Sequence, residues 1–572
     1  MRRTRLVVAS FAVLVAVVPE GRQTPAFASP GGSARQALQD LKTTAEASGF
    51  KSTSTYDDVV RFMKTVDAAS PNVHYLSYGK TFEGREMPLA IVATGLKDPT
   101  PASVRGTNRL RVHIQGNIHA GEVEGKESAQ ILLRELALGQ HDDWLKTMVF
   151  LITPIFNADG NERMSPTNRG TQNGPINGMG TRAQAQNLNI NRDFMKLETP
   201  EGRAFVKLWN DYDPHVGFDL HTSNGSYHAY HLTYSPPLHP NTSDVIMNIM
   251  KNEWFPFVTK NVKTKQGWDM FYYGNVEGGR GARGGGRAAG GGGAATPPPP
   301  PPPAPETPPP PPAWGTFEHV PRFHNNYVGI RNRFALLSEA YSYATFEDRI
   351  KATNYFMEEA LNFAHPNVDR LKKAIADADR EALVGKSLAT RAQKKSGGMI
   401  EILMGEVEQE PNPVSGRNMN RRKNVSNPTQ MVDRLWFEGT KFEEVPVEYF
   451  VPASATRAIE LLRTHGIQLQ PVSGTVRGLQ RFVISSNTQR PAAANSIDTG
   501  THALRTLDGE WQPAADAAVS KDYVVVSMSQ PLARLAFLLL APTSDDGLTT
   551  WNYLDEMLGA EAKTYPILRR MK

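Results

Sequence analysis

The amino-acid sequence predicts an α/β fold: a mixed, largely parallel twisted sheet flanked by helices, with a second, β-rich domain at the C-terminal end. Three observations support this prediction. Continuous apolar runs typical of buried strands alternate with segments that favour helices, as in a largely parallel sheet. A stretch rich in Gly and Pro interrupts the alternation without ending it. From Met399 onward, strand-like segments follow one another with few helices between them.

The elements of the first part are predicted in chain order. A polar helical segment over residues 35–66 is followed by β-prone runs over residues 73–93, and one or two helices over residues 346–376 close the domain. Between them we predict strands at "RLRVHIQG", "TMVFLITPIF", "HVGFDLHT" and "RFALLSEAYSY", and helices over residues 128–138, 199–212 and 244–261.

Residues 278–313 are predicted to be a disordered insertion within the first domain, which spans residues 29–376. The stretch from Gly278 to Gly293 holds ten glycines, and the proline runs Pro297–Pro303 and Pro308–Pro312 follow it. Glycine-rich chain is flexible and proline runs form extended polyproline helix, so neither builds a core. A ligand for proline-binding modules is the alternative interpretation.

The second domain is predicted over residues 399–572, after a helical connector over residues 377–398. The segment "ATRAIELLRTHG" indicates a helix, whereas "VPVEYFVPA", "RFVISS", "YVVVSMS" and "LARLAFLLLAP" are interpreted as strands. The sequence of this domain has no cluster of His and carboxylate residues, so we assign it no chemistry. Binding of a carbohydrate or a protein partner is left open for it.

Residues 1–28 have the pattern of a secretory signal peptide. Arg2, Arg3 and Arg5 precede the apolar run Leu6–Val18, and Ala26-Phe27-Ala28 is a small-residue cleavage site. We therefore predict a secreted or periplasmic protein without a stable membrane span after cleavage; an uncleaved anchor is the alternative. Removal of a pro-segment over residues 29–70 and the oligomeric state are left open.

Charge and cysteine content exclude other classes. Residues 1–28 carry four arginines and one glutamate, so they account for +3 of the formal net charge of +5 and leave about +2 for the rest. That charge is too small for a nucleic-acid-binding surface. The chain has no cysteine, so it forms no disulfide bonds and any metal must be held by His and carboxylate ligands.

The segment "GNIHAGE" contains the first candidate metal ligands. His119 and Glu122 stand three residues apart between an apolar strand and a helix, so both can reach one ion from the same side. Zinc accepts His nitrogen and Glu oxygen, and a catalytic zinc site needs three protein ligands and an open position. His221, at the end of "HVGFDLHTSNG", is the third candidate, because ligands bind beyond the carboxyl ends of strands in such sheets.

Other histidines compete for the third position. His228 and His231 lie three residues apart in "YHAYH" and are interpreted as residues that line the pocket or lie at the surface. His113 lies inside the first buried strand, where a core or supporting role is favoured.

With these residues in place, the sequence resembles the zinc carboxypeptidase family of the carboxypeptidase A and B type. The family binds zinc with a His-x-x-Glu pair and a later His. An Asn-Arg pair stands between them and a Glu lies on a late strand. Asn191 and Arg192 in "NLNINRDF" and Glu339 in "RFALLSEAYSY" match this order. The resemblance covers about residues 50–365 without the insertion.

The resemblance implies a role for each of these residues. His119, Glu122 and His221 would bind one Zn²⁺ per chain, and Glu339 would act as general base. Asn191 and Arg192 would bind the terminal carboxylate of a peptide, since a guanidinium matches a carboxylate in a bidentate way.

Two further roles are assigned with alternatives. The family uses an upstream Arg to stabilise the oxyanion; Arg163, Arg169 and Arg182 are the candidates. Arg182 fits the spacing of the shorter-loop branch, nine residues before the Asn. A mobile Tyr closes over the substrate in the family, and Tyr273 is favoured for this over Tyr272.

One position departs from the family pattern. Where the family has an Asp that orients a zinc-bound His, this chain has Asn189. Its amide oxygen can accept a hydrogen bond from an imidazole N–H without supplying a negative charge. The change puts metal affinity in doubt more than the reaction.

The predicted function is therefore an exported zinc metallocarboxypeptidase that hydrolyses the C-terminal bond of peptides or proteins with a free C-terminus. The alternative enzyme is a zinc amidohydrolase of the same fold that acts on cell-wall peptides or N-acyl amino acids. A non-catalytic binding protein is a third class, against which the intact set of candidate residues argues.

Overall fold

A central sheet of eight strands organises the first part of the chain. The computed structural model describes residues 32–277, 311–515 and 517–572. The first ten strands are β1 (Val73–Lys80), β2 (Glu86–Val92), β3 (Leu110–Gly116), β4 (Met148–Thr153), β5 (Val216–Ser223), β6 (Leu232–Ser235), β7 (Met270–Tyr272), β8 (Asn275–Glu277), β9 (Ala313–Gly315) and β10 (Phe334–Tyr341). All but β8 and β9 form the central sheet, in the order β1-β2-β4-β3-β5-β10-β6-β7.

The inner strands of this sheet are parallel. β4, β3, β5 and β10 pair in parallel, and so do β6 and β7, whereas β1, β2 and the β10–β6 pair are antiparallel. This arrangement confirms the predicted mixed, largely parallel sheet. The inner strands are buried on both faces, which explains their continuous apolar sequences.

Helices cover both faces of the sheet. They are α1 (Gly32–Asp40), α2 (Thr44–Ala47), α3 (Tyr56–Ala69), α4 (Pro101–Gly106), α5 (Glu124–Ala137), α6 (Asp142–Thr147), α7 (Ala158–Asn161), α8 (Pro200–Tyr212), α9 (Asp244–Ile249), α10 (Phe255–Gln266), α11 (His324–Ile330), α12 (Phe346–Ala364) and α13 (Val368–Arg380). Side-chain caps begin several of them: Thr55 forms a capping box with Asp58, and Thr199 and Thr345 each accept a backbone N–H.

The C-terminal part is mostly β-structure. Its strands are β11 (Ser387–Lys395), β12 (Met399–Met404), β13 (Val407–Pro411), β14 (Asn418–Arg422), β15 (Asn427–Arg434), β16 (Trp436–Glu444), β17 (Glu448–Pro452), β18 (Gln470–Pro471), β19 (Leu479–Arg490), β20 (Leu504–Ala514), β21 (Tyr523–Ser527) and β22 (Leu568–Arg570). Two helices, α14 (Thr456–Thr464) and α15 (Ala533–Leu540), accompany them.

Two predicted elements of this region are wrong. The helical connector over residues 377–398 holds only the last turn of α13, and β11 follows, paired antiparallel with β16. The apolar run "LARLAFLLL" is not a strand but contains the buried helix α15. A short, uniformly apolar run has no periodicity that separates a buried helix from a buried strand.

The C-terminal part packs directly on the sheet. One hydrophobic cluster contains Leu89 and Val149 of the sheet, Trp209 of α8, and Leu462 and Phe537 of the C-terminal helices. In addition, β8 and β9 join the C-terminal strands β15 and β12 in one four-stranded sheet. The two predicted domains therefore share a core.

Two predicted segments lie outside the described residues: the signal peptide over residues 1–28 and nearly all of the Gly/Pro insertion, up to residue 310. The last residue of that predicted insertion, Ala313, begins β9. In the part of the chain that the structure describes, no helix is long and apolar enough to cross a membrane.

Substitution of Gly125 tests whether α5 must pack closely on the sheet. A Cβ atom at this position would lie 2.5 Å from Cβ and 3.0 Å from the carbonyl oxygen of Leu220. We expect Gly125→Ala to lower the free energy of unfolding by roughly 1–3 kcal/mol through overpacking, measured by chemical denaturation. Gly106→Ala, in α4 with no atom within 4 Å of the added Cβ, is the matched control and should be neutral or slightly stabilising. Equal stability of the two variants would contradict this expectation.

Candidate metal centre and substrate pocket

The loop between β3 and α5 carries the first two predicted metal ligands. β3 ends at Gly116, and His119 and Glu122 follow in the loop. The side-chain amide of Asn117, whose φ is +64°, donates hydrogen bonds to the carbonyl oxygens of Ala120 and Glu122 at 3.3 and 3.2 Å. The N–H of Glu122 bonds to the carbonyl of His119 at 2.8 Å. These hydrogen bonds fix the conformation of the loop. His119 and Glu122 are both buried, and each is only 3% exposed.

The neighbouring strands carry the next two predicted residues. His221 on β5 and Glu339 on β10 are direct partners in the parallel register. Side chains of paired residues emerge on the same face of a sheet. On the other side of β5, β3 runs parallel with Gly116 opposite Leu220. The carboxyl ends of three adjacent parallel strands thus bring the four residues to one place.

Three side chains converge as a metal site would require. One ligand atom from each of His119, Glu122 and His221 lies within 4.8 Å of the others, the one such group of His and carboxylate residues within the described ranges. The Glu122 carboxylate lies 3.1 Å from Nδ1 of His119 and 2.8 Å from Nδ1 of His221. Two imidazole nitrogens and one carboxylate, with room for a fourth ligand, form the donor set of a catalytic zinc site.

The remaining ring nitrogens are held by acceptors. Nε2 of His119 lies 3.0 Å from Oδ1 of Asn189, and Nε2 of His221 lies 2.8 Å from a carboxylate oxygen of Asp219. Since amide and carboxylate oxygens accept, each Nε2 carries a proton, and each Nδ1 is the ring nitrogen that would bind a metal ion. Asn189 therefore makes the hydrogen bond that the sequence predicted for it.

The protonation states of two of these groups also suit a metal. Burial lowers the pKa of His119 to about 3, and the charge of Arg182 lowers it further in the same direction, so the imidazole is neutral. Burial opposes ionisation of Glu122, yet the neighbouring His119 and Arg169 hold its pKa well below the ordinary value. For His221, burial is outweighed by Asp219 and Glu122, which raise its pKa.

Two of the three candidate arginines reach the site. Nη1 of Arg169 lies 3.1 Å from the Glu122 carboxylate, and Nη1 of Arg182 lies 3.7 Å from the same oxygen. Arg182 also approaches Nδ1 of His119 at 3.3 Å, and 38% of its side chain is exposed toward the opening. Arg163 instead pairs with a surface glutamate. The geometry thus leaves both Arg169 and Arg182 beside the metal ligands.

Asn191 and Arg192 lie on a single 3₁₀ turn next to the ligands. The side-chain oxygen of Asn191 accepts a hydrogen bond from the backbone N–H of His324 at 2.9 Å. Its amide nitrogen lies 3.4 Å from Nε2 of His221. Because that Nε2 donates its proton to Asp219, the Asn191 amide N–H cannot also donate there and remains free for a ligand.

Arg192 is held by a stacking contact and one hydrogen bond. Its guanidinium lies over the ring of Phe323, 3.6 Å from the centroid, and donates to the carbonyl oxygen of Asn191 at 2.6 Å. Burial lowers the pKa of Arg192 to about 10, so the group is still cationic at neutral pH. Stacking fixes the plane of the fork and leaves its other N–H groups to bind a carboxylate.

Glu339 and Tyr273 face the same pocket. Burial raises the pKa of Glu339 to about 8, with the charge of Glu122 adding to the effect and His221 opposing it. Tyr273 accepts a hydrogen bond from Asn275 on its hydroxyl at 3.2 Å. Tyr272 points the other way and packs against Tyr234, Phe255 and Trp436.

The pocket is a cavity of about 150 Å³. Its lining includes all of the predicted metal, substrate and catalytic residues: His119, Glu122, Arg182, Asn191, Arg192, His221, Tyr273 and Glu339. Three of its lining residues, Arg192, Phe317 and Phe323, also line a second cavity of about 530 Å³. Residues of the C-terminal part, from Arg490 to Leu504, line the far side of that second cavity.

The other histidines lie outside the metal group. His228 packs on Tyr341 with ring centroids 4.0 Å apart, and His231 stacks on Trp268 at 4.2 Å. His113 accepts a hydrogen bond from the Trp209 indole at 3.1 Å and lies in the core, as the sequence predicted.

Three residues of the site were missed by the sequence. Asp219 stands two residues before His221, and the period of a strand puts both on one face, so this signal was available. Arg169 is one of the three candidate arginines in the sequence, but the spacing favours Arg182. Asp498, in the C-terminal part, accepts a hydrogen bond from the Asn189 amide at 2.7 Å; a separation of 309 positions leaves no local signal.

Part of the chain is similar to a known protein family. Residues 59–297 match the zinc carboxypeptidase family. Over 211 residues the chain is 28% identical to carboxypeptidase 2 of Trichophyton rubrum. This matched region is 35% of this chain and 32% of the relative. It is 29% identical over 209 residues to a probable carboxypeptidase 2 of Arthroderma benhamiae, covering 35% and 33%. The chain thus spans about a third of the length of these relatives.

Among solved structures, similarity extends to carboxypeptidase A from Helicoverpa armigera, with 14% identity, a TM-score of 0.38, and coverage of 60% of this chain and 79% of that one. A metallo-carboxypeptidase from Burkholderia cenocepacia shows 16% identity, a TM-score of 0.37, and coverage of 55% and 70%.

The candidate metal site and the family similarity are both typical of metal-dependent hydrolases built on an α/β sheet. Residues 59–297 of the chain are similar to a zinc carboxypeptidase domain. The matched residues end before β10, so Glu339 is placed by its register with His221 rather than by the match.

Zinc removal gives a direct test of the metal centre. A ligand that binds only the folded state stabilises it by about 2.7 kcal/mol at a free concentration 100 times its Kd. We expect a chelator to lower the thermal midpoint and added Zn²⁺ to restore it, followed by differential scanning fluorimetry and metal analysis. Glu122→Gln, which keeps the shape of the side chain, should lose the response to Zn²⁺. A full response in that variant would contradict the assignment of Glu122 as a ligand.

Proposed function

We propose that this protein is an exported zinc metallocarboxypeptidase that removes the C-terminal residue of peptides or proteins. One observation carries the proposal: Arg192 and Glu339 line the same small cavity as His119, Glu122 and His221. A guanidinium with free N–H groups beside a metal site selects substrates whose scissile bond lies next to a carboxylate end.

The metal would be held by Nδ1 of His119, Nδ1 of His221 and the carboxylate of Glu122, one ion per chain. Zinc in such a site supplies a Lewis acid that polarises the scissile carbonyl and makes water acidic near neutral pH. The donor set fits this ion: the Nδ1 atoms of both histidines face the Glu122 carboxylate, which lies between them.

Glu339 acts as the general base in its ionised form, which the positive charge of a bound metal ion would favour against the effect of burial. Its carboxylate faces the cavity, and in the described part of the chain it has no hydrogen-bonded partner that would hold it. It takes a proton from the attacking water and passes that proton to the nitrogen of the leaving amine. The same group therefore serves both halves of the hydrolysis.

Asn191 and Arg192 bind the substrate's terminal carboxylate. The fork of Arg192 makes charge-assisted hydrogen bonds with it, and the free amide N–H of Asn191 supplies a further donor. Binding at this end fixes the position of the last peptide bond relative to Glu339.

Arg182 donates to the oxyanion that develops on the scissile carbonyl, because its guanidinium lies beside the ligands and is open to the cavity. Arg169 holds Glu122 from the protein side, with its own Nε bonded to Gln172 at 2.8 Å. Tyr273 covers the substrate from the side of Phe317. Export rests on the signal-peptide pattern of residues 1–28.

Glu339→Gln tests the general base. The amide keeps the size of the side chain but cannot accept the proton, so we expect kcat to fall by roughly 10²–10⁴-fold. Zinc content should stay at one ion per chain, because Glu339 is not a ligand. Hydrolysis of peptides with a free C-terminus is the measurement, and a variant with zinc bound and unchanged kcat would refute the role.

Arg192→Gln tests the selection of a free carboxylate. Charged hydrogen bonds contribute about 1.5–3 kcal/mol each, so we expect kcat/KM on such peptides to fall by at least about tenfold to 100-fold. C-terminally amidated peptides should be poor substrates of both forms. Arg163→Gln, which alters an exposed arginine paired with Glu83, is the matched control and should keep full activity.

The same assay distinguishes the alternative enzyme. An amidohydrolase for cell-wall peptides or N-acyl amino acids would cleave acylated amino acids faster than peptides with ordinary C-terminal residues. That preference, with zinc bound, would replace the carboxypeptidase proposal while keeping the metal site.

A further inference from the structure

The C-terminal part of the chain reaches the metal centre through one loop. Residues 496–502, between β19 and β20, lie against the segment that precedes Asn191. The backbone N–H of Asn189 donates to the carbonyl oxygen of Ile497 at 2.7 Å, and the Asn189 side-chain amide donates to Oδ1 of Asp498, also at 2.7 Å. Both contacts are on a residue that is itself fully buried.

Asn189 connects this loop to a metal ligand. Its side-chain oxygen accepts the Nε2–H of His119 at 3.0 Å and the backbone N–H of Asn191 at 3.1 Å. Its side-chain nitrogen faces Asp498. The chain of contacts therefore runs from His119 through the amide to a carboxylate, with donors and acceptors matched at each step.

The carboxylate does two things that the amide cannot do alone. It fixes the orientation of the amide, since only the nitrogen of Asn189 can donate to it; a flipped amide would present N–H groups to the Nε2–H of His119. It also places a negative charge behind a neutral acceptor. An amide polarised in this way is a stronger acceptor, and a stronger acceptor on Nε2 makes Nδ1 of the imidazole a better metal ligand.

We propose that Asp498 is a positioning residue for the metal ligand His119, acting through Asn189, so that the C-terminal part completes the metal centre. The charge that the local sequence lacks at position 189 is supplied from the other part of the chain. This inference rests on the proposed zinc site.

Docking of the loop does not depend on Asp498 alone. His502 lies 2.7 Å from the Glu198 carboxylate and 2.9 Å from the side-chain oxygen of Asn552. The Ile497 carbonyl bonds to the backbone of Asn189, and this bond does not involve a side chain of the loop. A change at Asp498 therefore removes the charge without removing the other contacts.

Zinc affinity of the whole protein, measured by competition with a chromogenic chelator in the absence of substrate, separates these effects. Activity alone would not, because Asp498 also faces Arg192. In Asp498→Asn the new amide oxygen still accepts from Asn189 but the charge is lost; in Asp498→Ala both are lost. We expect the Kd for Zn²⁺ to rise by about tenfold in Asp498→Asn and by roughly 10–100-fold in Asp498→Ala.

A double variant that exchanges the side chains of positions 189 and 498 gives the decisive measurement. In the double variant Asn189→Asp with Asp498→Asn, the carboxylate contacts His119 directly and the new amide at position 498 donates to it. We expect the double variant to recover the wild-type Kd or to bind more tightly. A role in folding alone would leave the double variant as weak as Asp498→Asn.

Glu198→Gln is the matched control, because it weakens loop docking at His502 without touching Asn189. We expect a lower thermal midpoint of the metal-free protein and an unchanged Kd for Zn²⁺. An unchanged Kd for Zn²⁺ in both Asp498 variants would overturn the inference but would leave the proposed zinc site unaffected. Failure of the wild type to bind Zn²⁺ would instead overturn the proposed function, and the inference with it.

Discussion

The parallel pairing of β3, β5 and β10 is the constraint on which the candidate site depends. Parallel strands end at the same edge of a sheet, so residues that follow β3 meet residues near the ends of β5 and β10. The register puts His221 directly opposite Glu339. α5 must then pack closely on β5, and the absence of a side chain at Gly125 permits this next to Leu220. A shift of one residue in β5 or β10 would turn His221 or Glu339 to the other face.

Buried charge is the cost of such a site. Ion pairs taken out of water lose hydration that only a complete set of partners restores. Glu122 contacts both imidazoles and Arg169, Asp219 contacts His221, and Arg349 contacts Glu124 beneath the loop. Each group is held from the protein side, so the atoms that face the cavity are those left for a metal or a substrate.

Those parts of the fold and the site that have local signals could be predicted from the sequence. His119 and Glu122 share one loop, and His221 ends an apolar strand, so spacing and strand pattern sufficed. Asn189 was likewise predicted to accept an imidazole N–H. The failures are non-local or lack periodicity. "SLATRAQKK" has residues that favour a helix, yet pairing with β16 makes it a strand. The contact between Asn189 and Asp498 joins the two parts of the chain, and no sequence pattern around either residue predicts it.

The shared core changes how the C-terminal part is understood. An accessory domain joined by a linker would present its own core and a polar contact surface. Here Trp209 and Phe205 of α8 lie in one cluster with Leu462 and Phe537, so the C-terminal helices complete the same core that α8 forms on the second face of the sheet. Asp498 is delivered to the metal centre by the same packing. The position of the loop is therefore coupled to burial of the sheet, and the contact between Asn189 and Asp498 joins residues that lie 309 positions apart in the chain.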